Sequence, residues 1–207
     1  MSAKSPAFIV NASSRTLEGP QGEETLARLG GLCPVPLLGV FRDSDPARAA
    51  RKALEAGADT VITLGGDGTA QAAAQASYDA GAQARLVALP MGTANILPRR
   101  LYGTRSVDAI LEGLAELEPA TLPGGRLGGE VFLVAAAAGF PTTFAQAREA
   151  VRAKDLPRRL QTVLSRSRAG LTELFAPRIR FTADGAEHET LSRASGLMVW
   201  VEAEADR

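Results

Sequence analysis

Residues 60–71 read Thr-Val-Ile-Thr-Leu-Gly-Gly-Asp-Gly-Thr-Ala-Gln, and no other stretch restricts the fold as much. A short apolar run rich in β-formers, Thr60 to Leu64, stops at Gly65-Gly66-Asp67-Gly68-Thr69. An alanine-rich run, Ala70 to Ala82, follows and predicts a helix. Strand, glycine turn and helix in this order aim backbone N–H groups at an anion. The glycines let the chain approach a phosphate with no side chain in the way, and the helix start adds unpaired donors and the positive end of the dipole. The spacing is neither that of the P-loop, which needs a following Lys, nor that of the dinucleotide fingerprint. Asp67 stands out within the turn. A carboxylate beside phosphates repels them unless a cation lies between, or unless it accepts a hydrogen bond from a hydroxyl. It therefore points to Mg²⁺ or to an attacking hydroxyl. The plainer reading is an Asp that caps the next helix.

A second loop repeats the pattern. Arg85 to Leu89 predicts another strand, which runs into Pro90-Met91-Gly92-Thr93-Ala94-Asn95 and then a helix over 96–101. One helix separates the two loops, so they belong to one βαβ unit. Parallel strands joined by a right-handed crossover place both strand ends on one edge of the sheet. Both glycine loops are then expected to face one crevice.

Gly-Gly-Asp-Gly-Thr, then Pro-Met-Gly-Thr-Ala-Asn, then Arg99 and Leu101-Tyr102-Gly103, resembles the catalytic region of diacylglycerol-kinase-type lipid kinases. NAD kinases and phosphofructokinases share the first motif or a close variant. The second motif, with its trailing Arg, points to the lipid-kinase branch. The resemblance implies an α/β fold: an N-terminal doubly wound parallel sheet over residues 1–118, then a partial β-sandwich domain with a helical insertion over 119–207.

The rest of the chain agrees with that rhythm. Ala7 to Asn11 predicts a first strand, ending in a polar turn that the resemblance places over the nucleotide. Glu23 to Leu29 predicts a helix closed by Gly30-Gly31, and Val35 to Phe41 a second strand. Ser44-Asp45-Pro46 starts a helix that Gly57 ends. Ser106 to Leu117 predicts a helix with Val107, Ile110, Leu111 and Leu114 on one face. Prolines and glycines from Pro119 onward mark the boundary, with strands expected over 120–127 and 130–138. Helices over 142–153 and 156–174 carry Arg148, Arg152, Lys154, Arg158, Arg159, Arg166 and Arg168. Such a basic face suits anionic lipid headgroups as well as solvent. Strands are expected over 178–183 and 195–203, and His188 in a polar turn.

Composition excludes several classes. Net charge is formally zero, which argues against general nucleic-acid binding. A lone Cys33 rules out an internal disulfide and a cysteine zinc cluster. No run approaches the roughly 20 apolar residues of a membrane span. The first residues lack a signal peptide's apolar centre, so a cytoplasmic protein, peripheral to the membrane where its lipid lies, is expected.

Phosphoryl transfer needs positioned phosphates, a cation to offset their charge, and a carboxylate to accept the hydroxyl proton. The resemblance implies ATP and Mg²⁺ as cofactors and a lipid hydroxyl, diacylglycerol or a relative, as acceptor. It implies nucleotide contacts at Asn11, Gly65, Gly66, Asp67, Gly68, Thr69, Gly92, Thr93 and Asn95, and makes Asp67 the candidate catalytic residue. It also places the general base in a late acidic Asp-Gly segment, which the sequence to Arg207 does not include. Two readings follow: a working lipid kinase, or a shortened relative that binds nucleotide with little transfer. An incomplete sandwich would leave an open sheet edge, an invitation to a homodimer.

Overall fold

The computed structural model describes residues 5–12, 17–139, 180–183, 186–189 and 196–201. The helices expected over 142–153 and 156–174, with their arginines, lie outside these residues. So does the polar turn after Ala12.

Four strands form one parallel sheet: β1 (Pro6–Asn11), β2 (Gly39–Asp43), β3 (Thr60–Gly65) and β4 (Arg85–Pro90), in the order β2-β1-β3-β4. Three helices connect them: α1 (Gly19–Leu32), α2 (Pro46–Glu55) and α3 (Asp67–Asp79). Alternate residues of each strand face opposite layers. Phe8, Val10, Ile62, Leu64, Val87 and Leu89 meet Leu26 and Leu29 of α1, together with Ile110, Leu111 and Leu114. Ala7, Ile9 and Val61 meet Ala49, Ala50 and Ala53 of α2 and Ala73 and Ala76 of α3. Both faces are covered, which is why these strands read as unbroken apolar runs.

The path from β1 to β2 steps one way across the sheet; those from β2 to β3 and β3 to β4 step the other. With right-handed crossovers, α1 must then cover one face and α2 and α3 the other, as observed. The reversal falls between the adjacent strands β1 and β3. Open α/β sheets bind ligands beyond the carboxyl ends of such strands. Here those ends are Asn11 and Gly65.

After β4 come α4 (Ile96–Tyr102), α5 (Val107–Glu112), a 3₁₀ turn at Gly113–Ala115, and a hairpin of β5 (Gly125–Leu127) and β6 (Glu130–Phe132). The chain divides into two compact units between Val134 and Ala135. The sequence change at Pro119 falls after the 3₁₀ turn, inside the first compact unit. The compact unit runs further because Leu122, Val131 and Val134 pack around Ala70, Ala88, Leu97 and Leu133. In the second unit, β7 (Ala135–Gly139) pairs antiparallel with β10 (Gly196–Trp200), and β8 (Arg180–Ala183) with β9 (Ala186–Glu189).

Some expectations are corrected. Gly30-Gly31 do not end α1, which continues to Leu32; Pro34 stops it by holding Cys33 in extended backbone at φ −71°, ψ 125°. The second strand begins at Gly39, not Val35, beyond Pro34 and Pro36. The helix from Ser106 tightens into a 3₁₀ turn at Gly113. His188 lies in β9 opposite Phe181, not in a turn.

The alanine layer leaves no room on the α2 side. Ala50 is fully buried. Ala50→Leu should cost about 1–3 kcal/mol through overpacking, read as a lower denaturation midpoint at unchanged slope in urea.

Candidate functional site

The two glycine loops meet as one platform. Strand β3 runs into Gly65 opposite Pro90 of β4, and the Met91 N–H donates to the Gly65 carbonyl at 3.2 Å. Gly66 and Gly92 then touch backbone to backbone. A Cβ on Gly92 would collide with the Gly66 Cα, and one on Gly66 would come within 3.3 Å of the Gly92 Cα. Both positions are glycine because a main chain occupies the side-chain space.

Asn95 closes the second loop on itself. Its Oδ1 accepts the Gly92 N–H at 2.7 Å, and its Nδ2 donates to the Gly92 carbonyl at 2.9 Å. Asn95 sits in the left-handed region at φ 51°, ψ 42°, a conformation Asn tolerates better than most residues. Thr93 and Ala94, at the loop's tip, are exposed.

Asp67 joins the two halves. It is the first residue of α3, yet its carboxylate reaches across to α4. Oδ2 accepts the Ile96 N–H at 3.1 Å and Oδ1 the Leu97 N–H at 2.7 Å. The sequence suggested an Asp that caps the next helix; it caps the helix after that. The N–H groups of Asp67 and Gly68, at the start of the 13-residue α3, have no partner among the described residues. With the helix dipole they leave the start of α3 electropositive.

The other expected site residues fall as follows. Asn11 is half-buried at the end of β1, paired in register with Asp43. Gly68 is exposed. Thr69 is 6% exposed and packs its side chain against Gly65, so it supports the turn from below. Arg99 is exposed on the last turn of α4, while Arg100 donates to the Leu133 carbonyl at 3.3 Å.

Asp43, at the carboxyl end of β2, was not singled out from sequence. Its register with Asn11 puts it on the same sheet edge as the loops. Its Oδ1 accepts the Asp45 N–H at 3.0 Å, and its Oδ2 lies 3.3 Å from Lys52 Nζ and 3.5 Å from Arg48 Nε. The bond from Asp45, then Lys52 and Arg48, hold its carboxyl below the ordinary value despite partial desolvation. A polar Asp-Ser-Asp-Pro turn was the signal available. Asp45 itself caps α2, accepting the Ala47 N–H at 3.0 Å.

A doubly wound parallel sheet with two abutting glycine loops at the carboxyl ends of β3 and β4 defines an α/β protein of the open-sheet class. The chain belongs to the diacylglycerol kinase catalytic domain family, whose profile matches residues 7–126. A "probable lipid kinase YegS-like" protein of Pseudomonas fluorescens is 38% identical over 96 residues, 46% of this chain and 32% of that protein. One from Pseudomonas aeruginosa is 34% identical over 100 residues, 48% of this chain and 33% of that protein. The matched stretch thus spans about a third of these curated relatives. The fold is that of a diacylglycerol kinase from Bacillus anthracis, with a TM-score of 0.63 at 18% identity, over 97% of this chain and 65% of that one. No helix among the described residues is long and apolar enough to cross a membrane.

Two predictions follow from this geometry. Asp67→Ala should speed hydrogen exchange at the Ile96 and Leu97 amides and lower stability by about 1 kcal/mol, a typical capping loss. Exchange followed by NMR checks it. Because the Asp43 carboxyl is depressed in the folded chain, its contribution is present above about pH 4, the ordinary Asp range, and is lost as pH falls through its folded value. Asp43→Asn should therefore destabilise the chain at neutral pH, and the difference should vanish in acid denaturation series.

Proposed function

We propose that the protein is a lipid kinase that uses ATP and Mg²⁺ to phosphorylate a hydroxyl of diacylglycerol or a related lipid at a membrane surface. The observation that carries this reading is the Gly66–Gly92 platform beside the free N–H groups at the start of α3. It offers a phosphate chain close approach and several donors at once. The family membership and the names of the relatives support the choice of a lipid acceptor.

Mg²⁺ fits this chain as a partner of nucleotide phosphates held by a carboxylate or two, not as an ion in a protein cage. Among the described residues no three His, Cys, Asp or Glu side chains group together, and Mg²⁺ beside phosphates commonly needs no such group. Asp67 would hold it, with lone pairs beyond those given to the Ile96 and Leu97 N–H groups. The ion would offset charge on the transferring phosphoryl group. The chain's own part is to position. The loops fix the phosphates, so that the acceptor oxygen forms its bond to the γ-phosphorus as the bond to the β-phosphate oxygen breaks. The hydroxyl proton leaves to a carboxylate.

A second reading, nucleotide binding without efficient transfer, is favoured by one observation. Both Asp67 oxygens already anchor α4, so protonating Asp67 during catalysis would weaken the platform. In that reading Asp67 positions, and a base would have to come from another group.

The test is calorimetric Mg–ATP binding with transfer of labelled γ-phosphate to diacylglycerol in mixed micelles. The kinase reading expects saturable binding and transfer, with transfer falling about a hundredfold or more in Asp67→Asn. Saturable binding with no transfer would select the second reading. Absence of any ATP binding would remove both.

A further inference from the structure

A cavity of about 620 Å³ lies beside β4, away from the glycine loops. Strand β4 is the sheet's edge, with β3 on one side. The cavity touches Thr60 and Arg85 to Val87, the amino halves of β3 and β4, whereas the loops leave from the carboxyl ends. The five-residue step from Arg85 to Pro90 is roughly 16 Å of strand.

Six leucines supply the bulk of its apolar lining: Leu86 of β4, Leu101 of α4, Leu114 and Leu117 after α5, and Leu122 and Leu133 before and after the β5–β6 hairpin. Two arginines line it as well. Arg85 is half-buried and Arg105 exposed, and neither guanidinium makes an ion pair or hydrogen bond among the described residues. Glu118 also lines the cavity; it is exposed and pairs with neither.

We propose that this cavity is a second ligand site, for an amphiphile with one acyl chain and an anionic head. The leucine walls desolvate a chain, and the arginines meet a carboxylate or phosphate. Bound ligands commonly occupy concave sites of about 300–1,000 Å³ with apolar walls and a few polar groups. This one is too small for a two-chain phospholipid. A fatty acid and a lysophosphatidate share the chemistry that the site reads. Occupancy would leave the phosphate platform open, so the site is one for sensing or holding lipid, separate from phosphoryl transfer.

Titration calorimetry on the full chain tests this, with dodecanoate and a lysophosphatidate below their micelle concentrations. Neutral monododecanoylglycerol and inorganic phosphate serve as controls. One-to-one saturable binding of an anionic amphiphile is expected, about tenfold weaker in Arg105→Glu, since a bond to a charged group has gone. Ala84→Trp, which fills the cavity from its wall, should abolish it. The exposed Arg105 change should leave the melting temperature unaltered, so it decides the matter even if the Trp variant folds poorly. Equal binding of the neutral glyceride, binding of phosphate alone with the amphiphile's affinity, unchanged affinity in Arg105→Glu, or no binding at all would each overturn the proposal.

Discussion

The contact between Gly66 and Gly92 sets the terms for everything around it. Two main chains meet where any Cβ would stand, so the ends of β3 and β4 must keep their register, with Gly65 opposite Pro90. That register places the Met91 N–H on the Gly65 carbonyl and brings the start of α4 beside the start of α3. Seven residues make a poor helix alone. What holds α4 is Asp67, which supplies acceptors for two N–H groups of its first turn, and Leu97 and Pro98, which are buried. The two loops are thereby tied to each other at three points: the glycine contact, the Met91–Gly65 bond and the Asp67 carboxylate.

The two faces of the sheet divide the labour by side-chain size. On one face Phe8, Ile62, Leu64 and Leu89 meet leucines of α1 and leucine and isoleucine of the α5 region. On the other, Ala49, Ala50, Ala53, Ala73 and Ala76 meet Ala7, Ile9 and Val61. Alanines on the helices let α2 and α3 lie close to the sheet. A close α3 begins immediately at the end of β3, with only Gly66 between strand and helix. The alanines thus act on the site without touching it. They hold the amino end of α3 at the carboxyl edge of the sheet.

Much of this was legible in the sequence, because backbone requirements leave strong marks. The glycine turns, the apolar runs of β1, β3 and β4, and the Asp45-Pro46 start of α2 each encode one local solution. Where two local signals competed, the sequence misled. Gly30-Gly31 looked like a helix end, but leucine contacts on either side carry α1 onward until Pro34 forbids it. His188 looked like a turn residue because its neighbours are charged, yet β9 pairs antiparallel with β8, leaving polar residues in a strand. Asp67 also looked like a cap for its own helix, α3, whose start it does not bond. Its bond across 30 residues to Leu97 is a product of the tertiary fold, and no local pattern contains it.

That bond also resolves an apparent conflict in the site. A carboxylate at the heart of an anion cradle should weaken it, because its charge repels phosphate. Here the carboxylate is turned toward the positive end of α4, whose first-turn N–H groups it satisfies. The start of α3 keeps its own donors free. One helix start is thus matched to an internal anion, and the neighbouring one is not.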